Sequence, residues 1–255
     1  MYRSRQADSI DVSMEVAETL GKMEQSNSQS SRPAKYVALT DPLYDYIARH
    51  RSHVVDPILD ALRAETQSLG DVARMLISPE QGNFLTLLTK LLDVRTAVEV
   101  GTFTGYSSIC LARGLADGGR LHCFDVNAEW ASIARRYWKQ DGLASRVELQ
   151  LGDAKQVLLD WEPRAPIDLA FIDADKPGYD TYFEILLPKM KPNGLFIFDN
   201  MVWSGRVIEQ PLTDPDGLAI DRLNRKLASD PRVDSVLLPI ADGLHLARKR
   251  QDGES

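Results

Sequence analysis

An α/β fold on a mostly parallel, doubly wound sheet is the architecture this chain predicts, and three features predict it. Five short apolar runs of strand length alternate with segments of helical periodicity from Ala97 onward. Strands that alternate with helices are joined by crossovers and lie parallel. Two last runs, Val233 to Ile240 and Leu244 to Arg248, are separated by Ala241-Asp242-Gly243 alone. They must pair as a hairpin, so one of them runs antiparallel to the sheet. Polar residues follow directly on several of the apolar runs, which puts them at the carboxyl edge, where open α/β folds bind ligands.

Residues 1–33 stand apart from the rest and end in the polar run Gln25 to Arg32. Ile10, Met14, Ala17 and Leu20 could line a short helix, but the segment reads as a mobile polar arm, with the domain proper at 34–255. Asp41-Pro42 has the form of a helix cap followed by proline and starts a helix through Ile47. A second helix follows from Asp56 to Leu69, and a third from Gln81 to Leu92 after Ser78-Pro79-Glu80. The strands then fall at Ala97 to Val100, Leu121 to Phe124, Val147 to Leu151, Ile167 to Ile172 and Leu195 to Phe198. Helical segments lie between them at Ser107 to Leu115, Ala128 to Gln140, Lys155 to Asp160 and Tyr179 to Met190, and a last helix at Gly217 to Ala228 precedes the hairpin.

Composition narrows the function. The 255 residues suffice for one generous domain, and a net charge of -7 argues against a nucleic-acid surface. Cys110 and Cys123 sit in apolar surroundings without metal-ligand spacing and read as buried reduced thiols. No apolar run is long enough to span a bilayer and no signal core opens the chain, so the protein is expected to be soluble and cytoplasmic, with no membrane partner.

Two sheet ends hold the chemistry. Glu99-Val100-Gly101-Thr102-Phe103-Thr104-Gly105-Tyr106-Ser107 turns the first strand into a helix with E-x-G-x-x-x-G spacing, not the G-x-G-x-x-G of dinucleotide binders. Asp125 ends the second strand, where a carboxylate grips ribose hydroxyls, and Gly152-Asp153-Ala154 follows the third, where an adenine would lie. Glu99 would repel a pyrophosphate and attract a sulfonium and an amino group. S-adenosylmethionine fits this pattern better than a nicotinamide dinucleotide.

Further on, Phe171-Ile172-Asp173-Ala174-Asp175-Lys176 and Phe198-Asp199-Asn200 bring three oxygen donors and a lysine to neighbouring strand ends. That combination describes a hard-metal site with a base beside it. Each residue also has a plainer reading: Asp199-Asn200 as a turn cap, Lys176 as a solvated lysine, Asp125 as a helix cap. His50, His53, His122 and His245 show no ligand spacing, and Trp130 and Trp138 read as packing residues.

EVGTFTGYSS, LGDA, FIDADK, FDNMVW and PIADGLHLARK together resemble the cation-dependent class I O-methyltransferases, the family of the caffeoyl-CoA and catechol O-methyltransferases and their bacterial relatives. The resemblance runs from about Lys35 to Arg250. It implies a seven-stranded Rossmann-like methyltransferase fold and a homodimer. It also implies transfer of methyl from S-adenosylmethionine to one hydroxyl of a vicinal phenolic diol: a catechol, a hydroxycinnamate, its CoA ester or a flavonoid.

By the same resemblance Asp173, Asp199 and Asn200 are metal ligands, and Lys176, beside Asp173, is the catalytic base. Glu99, Gly101, Thr102, Ser107, Asp125, Asp153, Ala154 and Asp175 belong to the cofactor pocket, with Met75 and Ile77 in a lid over it. Lys35 is a substrate contact, and Trp203 and Tyr179 are walls for the aromatic ring. Ser204 stands where plant caffeoyl-CoA enzymes have an asparagine at the substrate, which counts against a CoA ester. The all-oxygen ligand set suits Mg²⁺, with Mn²⁺ or Ca²⁺ as alternatives. The competing readings are a catalytically silent S-adenosylmethionine-binding scaffold and a dinucleotide-dependent oxidoreductase.

Overall fold

The computed structural model describes residues 37–251, 253 and 254. Residues from 47 onward form the main compact unit, and 37–46 belong to a separate one. This second stretch is an extended segment leading into helix α1 (Asp41–Arg49). Lys35 and the polar arm lie outside the described residues.

Caps placed by the sequence start the next two helices. Asp56 accepts a hydrogen bond from Leu59 N at the head of α2 (Pro57–Gln67). Ser78 accepts one from Gln81 N at the head of α3 (Pro79–Leu91), and both helices have proline in the first turn, where no N–H partner is needed.

The sheet has seven strands in the order β3-β2-β1-β4-β5-β7-β6. They are β1 (Thr96–Val100), β2 (Arg120–Asp125), β3 (Val147–Leu151), β4 (Ile167–Ile172), β5 (Met190–Phe198), β6 (Val233–Leu238) and β7 (Leu244–Lys249). The pairs among β1 to β5 are parallel, and β7 is antiparallel to both β5 and β6. The chain winds outward from β1 to β3 and then returns to β4 on the other side of β1. The β1/β4 boundary is therefore the switch point at which such sheets bind ligands.

Helices α4 (Tyr106–Gly114), α5 (Ala128–Gln140), α6 (Ala154–Asp160), α7 (Tyr179–Leu186) and α8 (Pro215–Ser229) cover the sheet. Alternate strand residues feed two cores. Ala97, Leu121, Leu169, Phe171 and Ile197 pack with Leu62, Leu85, Ile109 and Trp138 on one face. Val98, Val100, Phe124, Ala170, Phe196 and Phe198 pack with Phe183, Ile220 and Leu223 on the other. That alternation is the two-residue period of a strand, and β1 and β4 are buried throughout because both faces are covered. Cys110 and Cys123 are free and buried, as expected.

Three departures from the sequence reading have physical causes. β5 begins five residues early, at Met190, because Met190 pairs with Ile167 before the register shifts to Leu169 and Leu195; the intervening Lys191-Pro192-Asn193-Gly194 has turn composition and hides this start in the sequence. The helix expected through Met190 ends at Leu186, where Pro188 starts a tighter 3-10 turn over Leu187–Lys189. Two further 3-10 segments, Gly70–Met75 and Trp203–Ile208, lie where the sequence reading placed no helix or strand. Among the described residues no helix is long and apolar enough to cross a membrane.

Candidate active site

Register builds the site. Val100 pairs with Phe124 on one side and Ile172 on the other, and Ile172 pairs with Phe198. The next residues therefore stand in a row: Asp125 as the last residue of β2, and Gly101, Asp173 and Asp199 one step past the ends of β1, β4 and β5. Backbone bonds fix the row: Gly101 N donates to Phe124 O at 2.9 Å, Asp173 N to Val100 O at 2.8 Å, and Asp199 N to Ile172 O at 3.0 Å. Gly101 has φ +91°, and a Cβ there would lie 2.0 Å from Asp173 O. Only glycine lets β1 and β4 approach this closely.

A first cavity of about 400 Å³ opens over β1 and β2. Met75, Ile77, Gly101, Thr102, Ser107, Asp125, Asp153, Ala154 and Asp175, which the resemblance assigns to a cofactor pocket and its lid, all line this one cavity. Asp125 does not cap the helix after it; Asn127 does. Its carboxylate instead pins the glycine turn, accepting from Thr102 N and Phe103 N at 2.8 Å each, and from Asn127 N. Asp153 has a double role, since it also caps α6 through Lys155 N.

Glu99 lies one residue behind the lining, fully buried. Cys123 Sγ donates to its Oε2 at 3.3 Å, and its Oε1 has no hydrogen-bond partner among the described residues. Burial pushes its carboxyl up to about 7, with Asp125's charge adding to the rise. A buried acceptor left open beneath this turn fits a ligand that brings a positive charge.

Trp130, expected to be packing, is instead a wall of this cavity, set edge-on to Phe103 at 4.9 Å. Trp138 keeps the packing role: it is buried, and its Nε1 donates to Ser108 Oγ. The aromatic at 130 was legible as a residue but not as a wall, because α5 reaches the cavity only through the fold.

A second cavity, of about 830 Å³, adjoins the first, and both share Met75, Leu76, Ile77, Asp173, Ala174 and Asp175. Asp173, Lys176, Asp199, Asn200, Trp203 and Ser204 converge on it. Lys176 is buried, not solvated. Its Nζ donates to Asp173 Oδ1 at 3.1 Å, Asn200 Oδ1 at 2.6 Å and Tyr179 Oη at 2.6 Å. Tyr179 is thus no wall for a ring. It is buried beneath Lys176, and its hydroxyl donates in turn to Asp199 O at 3.2 Å.

Asp199 is 2% exposed, and its carboxyl is held well above the usual carboxylate range by burial first and by Asp173's charge second. Asn200, Trp203 and Ser204 all have positive φ, so the chain makes a sharp reversal there. The reversal is held by Trp203 Nε1 donating to Asp214 Oδ2 and Ser204 N to Asp242 Oδ1. His245, buried, bonds Asn224 and takes no part in the site.

The described residues contain no group of three or more His, Cys, Asp or Glu side chains able to hold a metal, so any ion here depends on Asn200 beside the two aspartates. Two carboxylates and an amide are hard oxygen donors, the chemistry of an Mg²⁺-type ion. An ammonium already bridges two of the three, which shows that the set accepts a positive charge.

Fold and site together define a class first. The strand order with its antiparallel β5-β7-β6 end is that of Rossmann-like methyltransferases. More narrowly, residues 49–250 match the O-methyltransferase family, and the chain belongs to it. It is 33% identical over 218 residues to the catechol O-methyltransferase of Niastella koreensis, covering 82% of this chain and 99% of that one. It is 32% identical over 225 residues to caffeoyl-CoA O-methyltransferase 2 of Petunia hybrida, covering 84% and 93%. Among solved structures, the O-methyltransferase from Bacillus cereus in complex with SAH is similar, with a TM-score of 0.74 at 33% identity over 81% of this chain and 96% of that one.

Proposed function

We propose that this chain transfers a methyl group from S-adenosylmethionine to one hydroxyl of a vicinal phenolic diol, with a divalent cation, Mg²⁺ foremost, at the reacting oxygens. The observation that supports this most is the shared wall of the two cavities. Asp173 and Asp175 face both, so a donor in the first and an acceptor in the second would meet beside Asp173.

S-adenosylmethionine would supply an electrophilic sulfonium methyl, with its positive end near the open oxygen of Glu99 and its ribose near Asp125. A cation held by Asp173, Asp199 and Asn200 would supply electrostatic stabilisation of a phenolate, whose unaided pKa is about 10. The protein's own groups do the rest. Tyr179 holds Lys176 Nζ at the mouth of the ligand set, where the side chain, once it has given up its own proton and is the neutral amine, can take the proton of the attacking hydroxyl. The freed oxygen pair then forms the new bond to the methyl carbon as the carbon–sulfur bond opens, leaving a neutral thioether. A positioned base of this kind contributes roughly 10²- to 10⁴-fold. Trp203 flanks Lys176, 5.9 Å from Nζ to the ring centre, and offers a face to an aromatic acceptor.

Methyl transfer from labelled S-adenosylmethionine to caffeic acid and to its CoA ester, with Mg²⁺ and then with excess EDTA, tests the proposal. Turnover abolished by the chelator is the expected result. Turnover indifferent to it would remove the metal from the mechanism, and cofactor binding without turnover on any diol would leave a silent scaffold.

A further inference from the structure

Gln81 has no counterpart in the site as read from the sequence. It occupies the first turn of α3, is 1% exposed and lines the second cavity. Its Nε2 donates to Asp199 Oδ2 at 2.6 Å, across 118 residues of sequence. A carboxylate can only accept, so the amide nitrogen must be the end that faces it.

Asp199 is gripped at both oxygens. Oδ1 accepts from the next backbone N–H, that of Asn200, at 2.6 Å, which the tight reversal at residue 200 already determines. The bond to Oδ2 is therefore the one that sets how the carboxylate is turned relative to Asp173 and Asn200. It comes from an unexpected quarter. α3 begins at Ser78, directly after Met75, Leu76 and Ile77, the residues that wall both cavities.

We infer that Gln81 is a positioning residue for the metal set, holding Asp199 in its ligating orientation and tying that ligand to the chain segment that encloses the methyl donor. The inference rests on the proposed metal-dependent reading and adds a residue to it. Groups that orient metal ligands typically cost 10- to 100-fold in metal affinity when removed. Gln81 meets the conditions for such a role: a buried donor, a short bond and a partner with no other side-chain donor on that oxygen among the described residues.

The test is Mn²⁺ binding by calorimetry and by electron paramagnetic resonance, in wild type and in Gln81→Met, which keeps length and removes the donor. Gln81→Leu serves if the methionine variant does not fold. Expected are a 10- to 100-fold weaker Mn²⁺ affinity and S-adenosylhomocysteine affinity within twofold of wild type. The metal concentration needed for half-maximal activity should rise while kcat at saturating metal is largely regained. Mn²⁺ affinity within twofold of wild type in a folded variant would overturn the inference, as would an equal loss of S-adenosylhomocysteine binding. Wild type that binds no Mn²⁺ would instead bring down the metal reading itself, and Gln81 with it.

Discussion

At the scale of single residues, the most consequential group is one that its neighbours satisfy at only one of two oxygens. Glu99 is fully buried, its Oε1 is unpartnered among the described residues, and its carboxyl is raised to about 7 from 4.5. The sign of the effect on stability follows. Between those two values the folded chain keeps a proton that the unfolded chain has lost, so stability falls as pH rises through the window. The full cost, ~3 kcal/mol, is reached above about 7. Asp125's charge enlarges the penalty when the carboxylate is charged, and the Cys123 thiol, donating to Oε2, offsets part of it. Without ligand, Glu99→Gln should therefore flatten the decline in melting temperature between pH 4.5 and 7. Melting curves that fall in parallel for both proteins would mean that Glu99 is not the group responsible.

At the scale of elements, the site depends on how closely β1 and β4 approach. Gly101→Ala puts a methyl 2.0 Å from a backbone oxygen at φ +91°, where neither partner can yield. Gly118 also has positive φ, +74°, but open space around it. Denaturant unfolding should separate the two. Gly118→Ala is expected to cost about 1 kcal/mol from conformation alone, and Gly101→Ala several-fold more, with loss of donor binding. Equal costs would mean that strand contact at Gly101 is unimportant. The element boundaries show what a sequence discloses. β3, β4 and α5 fall where their apolar patterns place them, because each is a local signal. The first half of β5 does not, since Met190 pairs with Ile167 but the register then shifts past Lys191-Pro192-Asn193-Gly194, whose turn composition gives no strand signal.

At the scale of the whole molecule, the residues legible in advance were those that follow a strand within one motif: Gly101, Asp125, Asp173, Asp199, Asn200. Gln81, Trp130 and Tyr179 as a support for Lys176 were not, because each reaches the site only when α3, α5 and α7 are folded against the sheet. The two cavities belong to different strand pairs and touch only along a shared wall, so donor binding and metal binding should be separable. Asp199 contacts the second cavity and not the first. The most direct measurement is a calorimetric comparison of Asp199→Ala with wild type for S-adenosylhomocysteine binding, alongside Mg²⁺-dependent methyl transfer to a catechol. Donor affinity within about threefold of wild type, with transfer reduced by at least 10²-fold, is the predicted result. Transfer that survives in Asp199→Ala, or donor binding lost in step with it, would contradict a metal centre distinct from the donor cavity.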